Sequence, residues 1–301
     1  LPNDSTTTGL ARPDSSPSDG VLIVGAGRAG LSLSRELVAA QVPLVGLWNR
    51  SSMKRPEGLG ETAFDSGSES PPDHWLELAS LVILAVRDDV IAAVAADLQF
   101  RPGTTVLHLS GALGSDILSP LSEGVFRGSY HPLQSFSDHG HSSVPIPPYV
   151  VAVEGEAQAL VRAEQLAAAT GHRTVPLAAD QKAGYHAAAV MASNCLVALQ
   201  AAATRVMAGS CGDEKRAWEL LWPLVMGTMA GLEEGCFETA ITGPVARGDG
   251  DSVRSNLRAL QGDENAQALY RSLSREALEL ARSAGLGETE LAGVRLALDE
   301  E

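Results

Sequence analysis

Val21-Leu-Ile-Val-Gly25-Ala-Gly27-Arg-Ala-Gly30 decides the fold of this chain. Four apolar residues read as a strand buried on both faces, and Leu31 onward reads as a helix. The turn between them carries Gly-x-Gly-x-x-Gly. Gly25 allows the tight turn, Gly27 admits a pyrophosphate close to the backbone, and Gly30 lets helix and strand pack. The helix N-terminus then faces the phosphates, so Gly25, Ala26, Gly27, Arg28, Ala29 and Gly30 are the expected dinucleotide contacts. The strand before the motif and the helix after it are the context that this short pattern requires. A second apolar run, Val42 to Leu47, ends at Trp48-Asn49-Arg50-Ser51-Ser52. At that point an NAD site usually places an acid on the ribose. Asn49, Arg50 and Ser51 stand there instead, with Lys54 and Arg55 behind them, and this suits a 2′-phosphate. The expected cofactor is NADP in preference to NAD.

A chain of 301 residues predicts two domains, and 45% hydrophobic residues suffice for a sizeable core. A formal charge of −15 argues against nucleic acid and anionic membranes as partners and makes the Arg28, Arg50, Lys54, Arg55 island stand out. Only Lys54, Lys182 and Lys215 are lysines among the 22 basic residues, so a lysine in an apolar helix carries information. Cys195, Cys211 and Cys236 show no metal spacing and read as reduced thiols of a cytoplasmic protein. No apolar run is read as reaching the length of a membrane span. Residues 1–19, rich in Ser, Thr, Pro and Asp, read as a disordered tail and not a signal peptide.

Beyond the second strand, residues 56–73 read as a solvated loop. Strands are expected at 81–86, 104–109, 125–130, 149–153 and 173–177, with helices at 90–98 and 156–169. Asp88 or Asp89 is the expected N-cap of the first of these helices. The strand–helix alternation predicts a mostly parallel, doubly wound α/β sheet over 20–177. From Ala178 the character changes. Ala- and Leu-rich helices are expected at about 179–208, 213–234, 251–260, 264–284 and 287–299, giving an all-helical domain over 178–301.

Within the first of these helices Lys182, His186, Ala189 and Ser193 share one stripe. The stripe has two readings: a solvated first turn, or a polar face whose lysine gives a proton or stabilises an oxyanion as hydride arrives. Asn194 lies roughly 18 Å along the helix from Lys182, too far to share its immediate site, and is carried as a substrate-contact candidate. His131 and Gln134 follow a late strand, where ligands of such sheets bind, or else simply end that strand. Ser110 and Gly111 end another strand, either as a plain turn or as contacts to nicotinamide and substrate; Val86 and Arg87 end a third and join the expected cofactor contacts. Arg247 clamps a substrate carboxylate or pairs with Asp249 or Asp251. Asp138-His139-Gly-His141 lacks a strong third ligand, so no metal is expected.

Taken together, several motifs resemble a family that joins a Rossmann-like domain to a domain of unknown function, DUF2520. They are Gly25-Ala-Gly27-Arg-Ala-Gly30, Trp48-Asn-Arg-Ser51, His108-Leu-Ser110-Gly111-Ala-Leu, His131-Pro-Leu-Gln-Ser-Phe136, Tyr185-His186-Ala-Ala-Ala-Val-Met-Ala-Ser-Asn194 and Gly243-Pro-Val-Ala-Arg-Gly-Asp249. The family is similar to reductases with a helical domain of the 6-phosphogluconate dehydrogenase type, among them 3-hydroxyisobutyrate, ketopantoate, pyrroline-5-carboxylate and prephenate enzymes. The resemblance implies NADP binding, a cleft between two domains and a homodimer built through the helical domain. Lys182 matches the catalytic lysine of the β-hydroxyacid enzymes, whereas His186 stands where they carry asparagine. His131-Pro132 is similar to a segment of prephenate dehydrogenases. The implied reaction is hydride transfer between nicotinamide and a small carbonyl, imine or hydroxy compound. Lys182, His186 and His131 would be catalytic, and Ser110, Gln134, Asn194 and Arg247 would bind substrate. The alternative is an NADP-binding sensor or scaffold without chemistry. A methyltransferase or flavoprotein would want an acid where Asn49 and Arg50 stand.

Overall fold

A computed structural model describes residues 20–136, 147–233 and 235–300. The expected tail at 1–19 and the Asp138–His141 segment lie outside them. The chain divides into two compact units between Val190 and Met191.

The first unit is an eight-stranded sheet in the order β3-β2-β1-β4-β5-β6-β7-β8. Its strands are β1 (Gly20–Val24), β2 (Leu44–Asn49), β3 (Ala63–Ser66), β4 (Ala79–Leu84), β5 (Thr105–His108), β6 (Phe126–Pro132), β7 (Val150–Gly155) and β8 (Arg173–Pro176). All neighbours are parallel except β6 and β7. Helices α1 (Arg28–Ala39), α2 (Asp73–Leu78), α3 (Ile91–Asp97) and α4 (Ala157–Ala169) connect them. Along β1, Val21 and Ile23 enter one core while Leu22 and Val24 enter the other, so both faces are covered. That double burial is why the strand reads as an unbroken apolar run. β1 is flanked by β2 on one side and β4 on the other, which places the glycine turn at the point where the winding reverses. Ligands of such sheets bind in the crevice outside the carboxyl ends of the strands at this point.

Three expectations are corrected here. The stretch 56–73 contains β3, which pairs with β2 through Gly46↔Ala63 and Trp48↔Asp65. Four residues of mixed polarity on a sheet edge carry too little pattern to stand out. Neither Asp88 nor Asp89 caps α3, whose N-cap is Val90. Both acids sit in a 3₁₀ turn, with Asp89 paired to Arg87 at 2.8 Å. Finally, among the described residues one helix is long and apolar enough to cross a membrane by length and composition: Ala179–Cys211, 33 residues. The separate pieces α5 (Lys182–Val190) and α6 (Leu196–Cys211) are joined by a π-helical turn, Met191–Cys195, without a break. Its charges are confined to Asp180, Lys182 and Arg205.

The last described strand ends at Pro176, and the compact units divide later, with the Lys182 end of α5 bonded to Ser129 of the sheet. Among the described residues the second unit is helical: α6, α7 (Glu214–Glu233), α8 (Phe237–Ala240), α9 (Gly250–Ala259), α10 (Glu264–Ser283) and α11 (Glu288–Asp299). Val253, Leu257, Leu278, Leu291 and Val294 form its core. α6 and α7 leave Val197, Leu220, Trp222, Leu224 and Met226 exposed. A cavity of about 580 Å³ lies among α6, α7 and α10, lined by apolar side chains such as Leu199, Val206, Leu221 and Leu273.

Candidate functional site

The carboxyl ends of β5 and β6 and the first turns of α5 build one polar cluster within the first unit. Ser129 and His131 are two residues apart on β6 and share a face, while Tyr130 between them is buried in the opposite core. Lys182, Tyr185 and His186 lie three and four apart on α5, which brings them to one side of that helix. The stripe reading therefore holds for Lys182 and His186, and Tyr185 joins them.

Lys182 is only 1% exposed. Its Nζ donates to Ser129 Oγ at 2.8 Å and to the Ser110 carbonyl at 3.2 Å. Burial pulls its pKa below the usual lysine range, and the negative charges of Glu154 and Asp88 oppose that fall. The solvated-turn reading of Lys182 is thus replaced by a buried ammonium with fixed acceptors. His131 Nδ1 is 2.8 Å from the Tyr185 hydroxyl, and the two rings meet edge to face. Burial, with His186 and Lys182 adding to it, lowers the His131 pKa to about 4, while burial pushes Tyr185 up to about 12. His131 and Tyr185 are therefore neutral at neutral pH. The His186 ring lies 5.9 Å from that of His131, and its buried Nδ1 has no hydrogen-bond partner among the described residues. Gly111 is wedged beside both. A Cβ there would lie 2.5 Å from His186 Nδ1 and 2.8 Å from His131 Nε2, so any larger residue would push the two rings from where they stand.

Ser110 contributes in a different way from the one expected of a substrate-binding hydroxyl. Its Oγ donates to Asp88 at 2.7 Å and accepts from the Ala112 and Leu113 amides. The hydroxyl is spent on the turn; the carbonyl is what meets Lys182. His108, one residue pair further in, is fully buried. Its Nδ1 accepts from the Ser110 amide, so Nε2 carries the proton and donates to the Gly114 carbonyl. Gln134 is half-buried and its side chain takes the Ser135 amide. Asn194, in the π-helical turn, and Arg247, in a 3₁₀ turn before α9, are exposed residues of the second unit.

At the glycine turn, the three glycines differ in what requires them. A Cβ on Gly25 would lie 2.4 Å from the Ala85 carbonyl oxygen, and one on Gly30 would lie 2.0 Å from that of Gly25. Internal packing explains both. A Cβ on Gly27 would meet nothing within 4 Å among the described residues. Its missing side chain leaves open backbone at the start of α1, which fits the approach of a pyrophosphate. Asn49, expected to face the ribose, spends its amide on the Ala26 N–H and the Ser51 carbonyl, bracing the turn from behind. Arg55 is likewise bound to the Gly60 and Thr62 carbonyls. Arg28, Arg50, Ser51 and Lys54 are exposed around the turn and Ala29 is half-buried. Val86 packs beside Gly25, and Arg87 is held by Asp89.

Four residues of the cluster had no role assigned from sequence: Tyr185, His108, Ser129 and Glu154. Tyr185 had a usable signal, its place one residue before His186. Ser129 is two residues before His131 on an expected strand. Glu154 meets Ser129 only through the antiparallel register of β6 and β7, for which local sequence carries no signal.

A doubly wound sheet with an open glycine turn at its switch point, followed by helices, defines a Rossmann-like two-part protein. Residues 7–132 match the Rossmann-like domain, and residues 149–277 match DUF2520. The chain thus carries a match to each of these two domains, one after the other. Among solved structures, it is similar to a provisionally assigned NADP oxidoreductase from Bacteroides fragilis, with 22% identity and a TM-score of 0.71 over 88% of this chain and 100% of that one. A protein from Thermotoga maritima is 25% identical with a TM-score of 0.65, over 87% and 98% of the two chains. Pyrroline carboxylate reductase from Plasmodium falciparum, with NADP bound, shares the fold at 11% identity and a TM-score of 0.54, over 95% and 97%. No curated protein matches the sequence.

Proposed function

We propose that this chain is an NADP-dependent oxidoreductase acting on a small carbonyl, imine or hydroxy compound. The observation that carries the reading is the buried Lys182 ammonium at the carboxyl end of the sheet, with neutral His131 and Tyr185 beside it. Open backbone at Gly27 supports the cofactor, and exposed Arg50 and Lys54 supply positive charge for a 2′-phosphate. Bound nicotinamide would supply or accept the hydride. Two of the three Lys182 N–H bonds are committed to Ser129 and Ser110, leaving one for a reacting oxygen or nitrogen. A lowered pKa makes that ammonium a better proton donor near neutrality. Its charge also favours the anion that develops as hydride arrives. His131, held neutral, acts as a polarising hydrogen-bond partner and not as a charged acid.

The rival reading is a sensor that binds NADP without chemistry. It draws on the same burial of Lys182, since an ammonium that never meets substrate is structural. Nicotinamide fluorescence titration and turnover of Lys182→Ala separate the two. The enzyme reading expects NADPH-selective binding, retained in Lys182→Ala, with turnover of keto acids or cyclic imines lost. Unaltered turnover sinks the lysine assignment, and binding of neither nucleotide sinks the cofactor. The exposed apolar faces of α6 and α7 support a homodimer through the helical unit, with a second copy and not a membrane covering them. Free thiols at Cys195, Cys211 and Cys236 are consistent with the cytoplasm.

A further inference from the structure

A buried ammonium needs more than neutral acceptors. Removing it from water is unfavourable unless an opposite charge is near. His108 on β5 and His131 on β6 lie within electrostatic reach of Lys182, His186 follows it by one turn on α5, and none of the three offers a negative charge. Among the described residues two carboxylates lie within electrostatic reach, Asp88 after β4 and Glu154 on β7. Asp88 is exposed and is already engaged by the Ser110 hydroxyl. Glu154 is half-buried, and the β6–β7 register sets it directly opposite Ser129.

Ser129 Oγ accepts from Lys182 Nζ at 2.8 Å, so its single proton must point elsewhere. Glu154 Oε2, at 3.5 Å, is the acceptor on that side. The carboxylate is itself clamped: Oε2 takes the Ser115 amide and Oε1 the Ser115 hydroxyl, each at 2.7 Å. A clamped anion therefore faces the serine hydroxyl across a long 3.5 Å contact, and the serine's lone pair holds the ammonium beside the Ser110 carbonyl. We propose that Glu154, acting through Ser129, is the counter-charge and positioning residue for Lys182. This rests on the assignment of Lys182 to the reaction, but its test does not.

The three lysines give three resonances in full-length protein carrying 13Cε-lysine, and Lys182→Met identifies the one that matters. In a pH titration by NMR, Glu154→Gln is expected to lower the Lys182 midpoint by about one to two pH units. Lys54 and Lys215 should not move. Glu154→Asp, which keeps the charge, should stay within about half a unit of the parent, and Asp88→Asn should shift Lys182 less than Glu154→Gln does. A Lys182 midpoint unmoved in Glu154→Gln, or moved more by Asp88→Asn, overturns the proposal. If Glu154→Gln does not fold, Ser129→Ala tests the bridge alone: a lowered midpoint supports it and an unmoved one overturns it. Where turnover is found, Glu154→Gln should displace the alkaline limb of the kcat profile by the same amount. Absence of turnover would refute the reductase and leave the titration result standing.

Discussion

His108 makes the most direct test of the electrostatics at the carboxyl end of the sheet. It is 0% exposed, and its two ring nitrogens are both matched in the neutral form: Nδ1 accepts the Ser110 amide and Nε2 donates to the Gly114 carbonyl. A second proton would have to sit on Nδ1. It would break the Ser110 bond and place a cation in a buried position near Lys182. Burial first, and the Lys182 charge second, accordingly lower its pKa from 6.5 to about 4. Acid must therefore destabilise the fold through this residue. As pH falls through 6.5 the unfolded chain takes up the proton and the folded chain does not. Stability from this source is complete above the unfolded pKa, declines between 6.5 and about 4, and levels off below the folded value.

The linkage relation gives a loss of about 2–3 kcal/mol between neutrality and about pH 4.5. His108→Asn supplies the comparison, since its side-chain oxygen can still accept the Ser110 amide but cannot titrate. Carboxylates and other histidines titrate alike in both proteins, so the difference between the two isolates His108. Urea unfolding at a series of pH values is the assay. The variant is expected to be less stable at neutral pH, through its lost Gly114 bond, and to lose about 2–3 kcal/mol less on acidification. Parallel pH profiles would refute the neutral, buried tautomer and the reasoning built on it.

The glycine turn yields a matched pair. Gly30→Ala drives a Cβ into backbone and should cost about 1–3 kcal/mol or more in urea unfolding, whereas Gly27→Ala should fold within about 1 kcal/mol of the parent and yet bind NADPH more weakly. Equal stability losses at the two positions would remove the argument that Gly27 is kept for a ligand. Arg50→Ala should weaken NADPH about tenfold or more in fluorescence titration and leave NADH unchanged; equal losses for both nucleotides would contradict a 2′-phosphate role. In the opposite core the Tyr149 hydroxyl donates to Glu36 Oε2 at 2.7 Å, and His172 reaches the same oxygen at 3.1 Å. Tyr149→Phe should destabilise by about 1–3 kcal/mol, and an unchanged urea midpoint would show that this carboxylate needs no second partner.

The parts of this fold that could be read from sequence are those whose causes are local. The strand–turn–helix at Val21–Gly30 follows from burial on both faces and from glycines that neighbouring backbone demands. The shared stripe of Lys182 and His186 follows from helical periodicity alone. β3 escaped because four edge residues leave almost no pattern, whereas the Ala179–Cys211 helix runs from its expected start to three residues past its expected end at 208, its apolar pattern being continuous. Roles fared worse than positions, for one physical reason. Ser110 and Asn49 stand where a ligand contact was expected, yet both side chains satisfy backbone groups of the turns that hold them. Asx and Ser side chains at chain reversals compete for exactly such groups before any ligand arrives. Charges without that duty, such as Arg50 and Lys54, remain the better candidates for a phosphate. Glu154 marks the opposite limit. Nothing near it in sequence points to Lys182, and only the antiparallel return of β7 beside β6 brings its carboxylate within one hydroxyl of the buried ammonium. A residue whose role is set by strand register becomes visible only once the register is known.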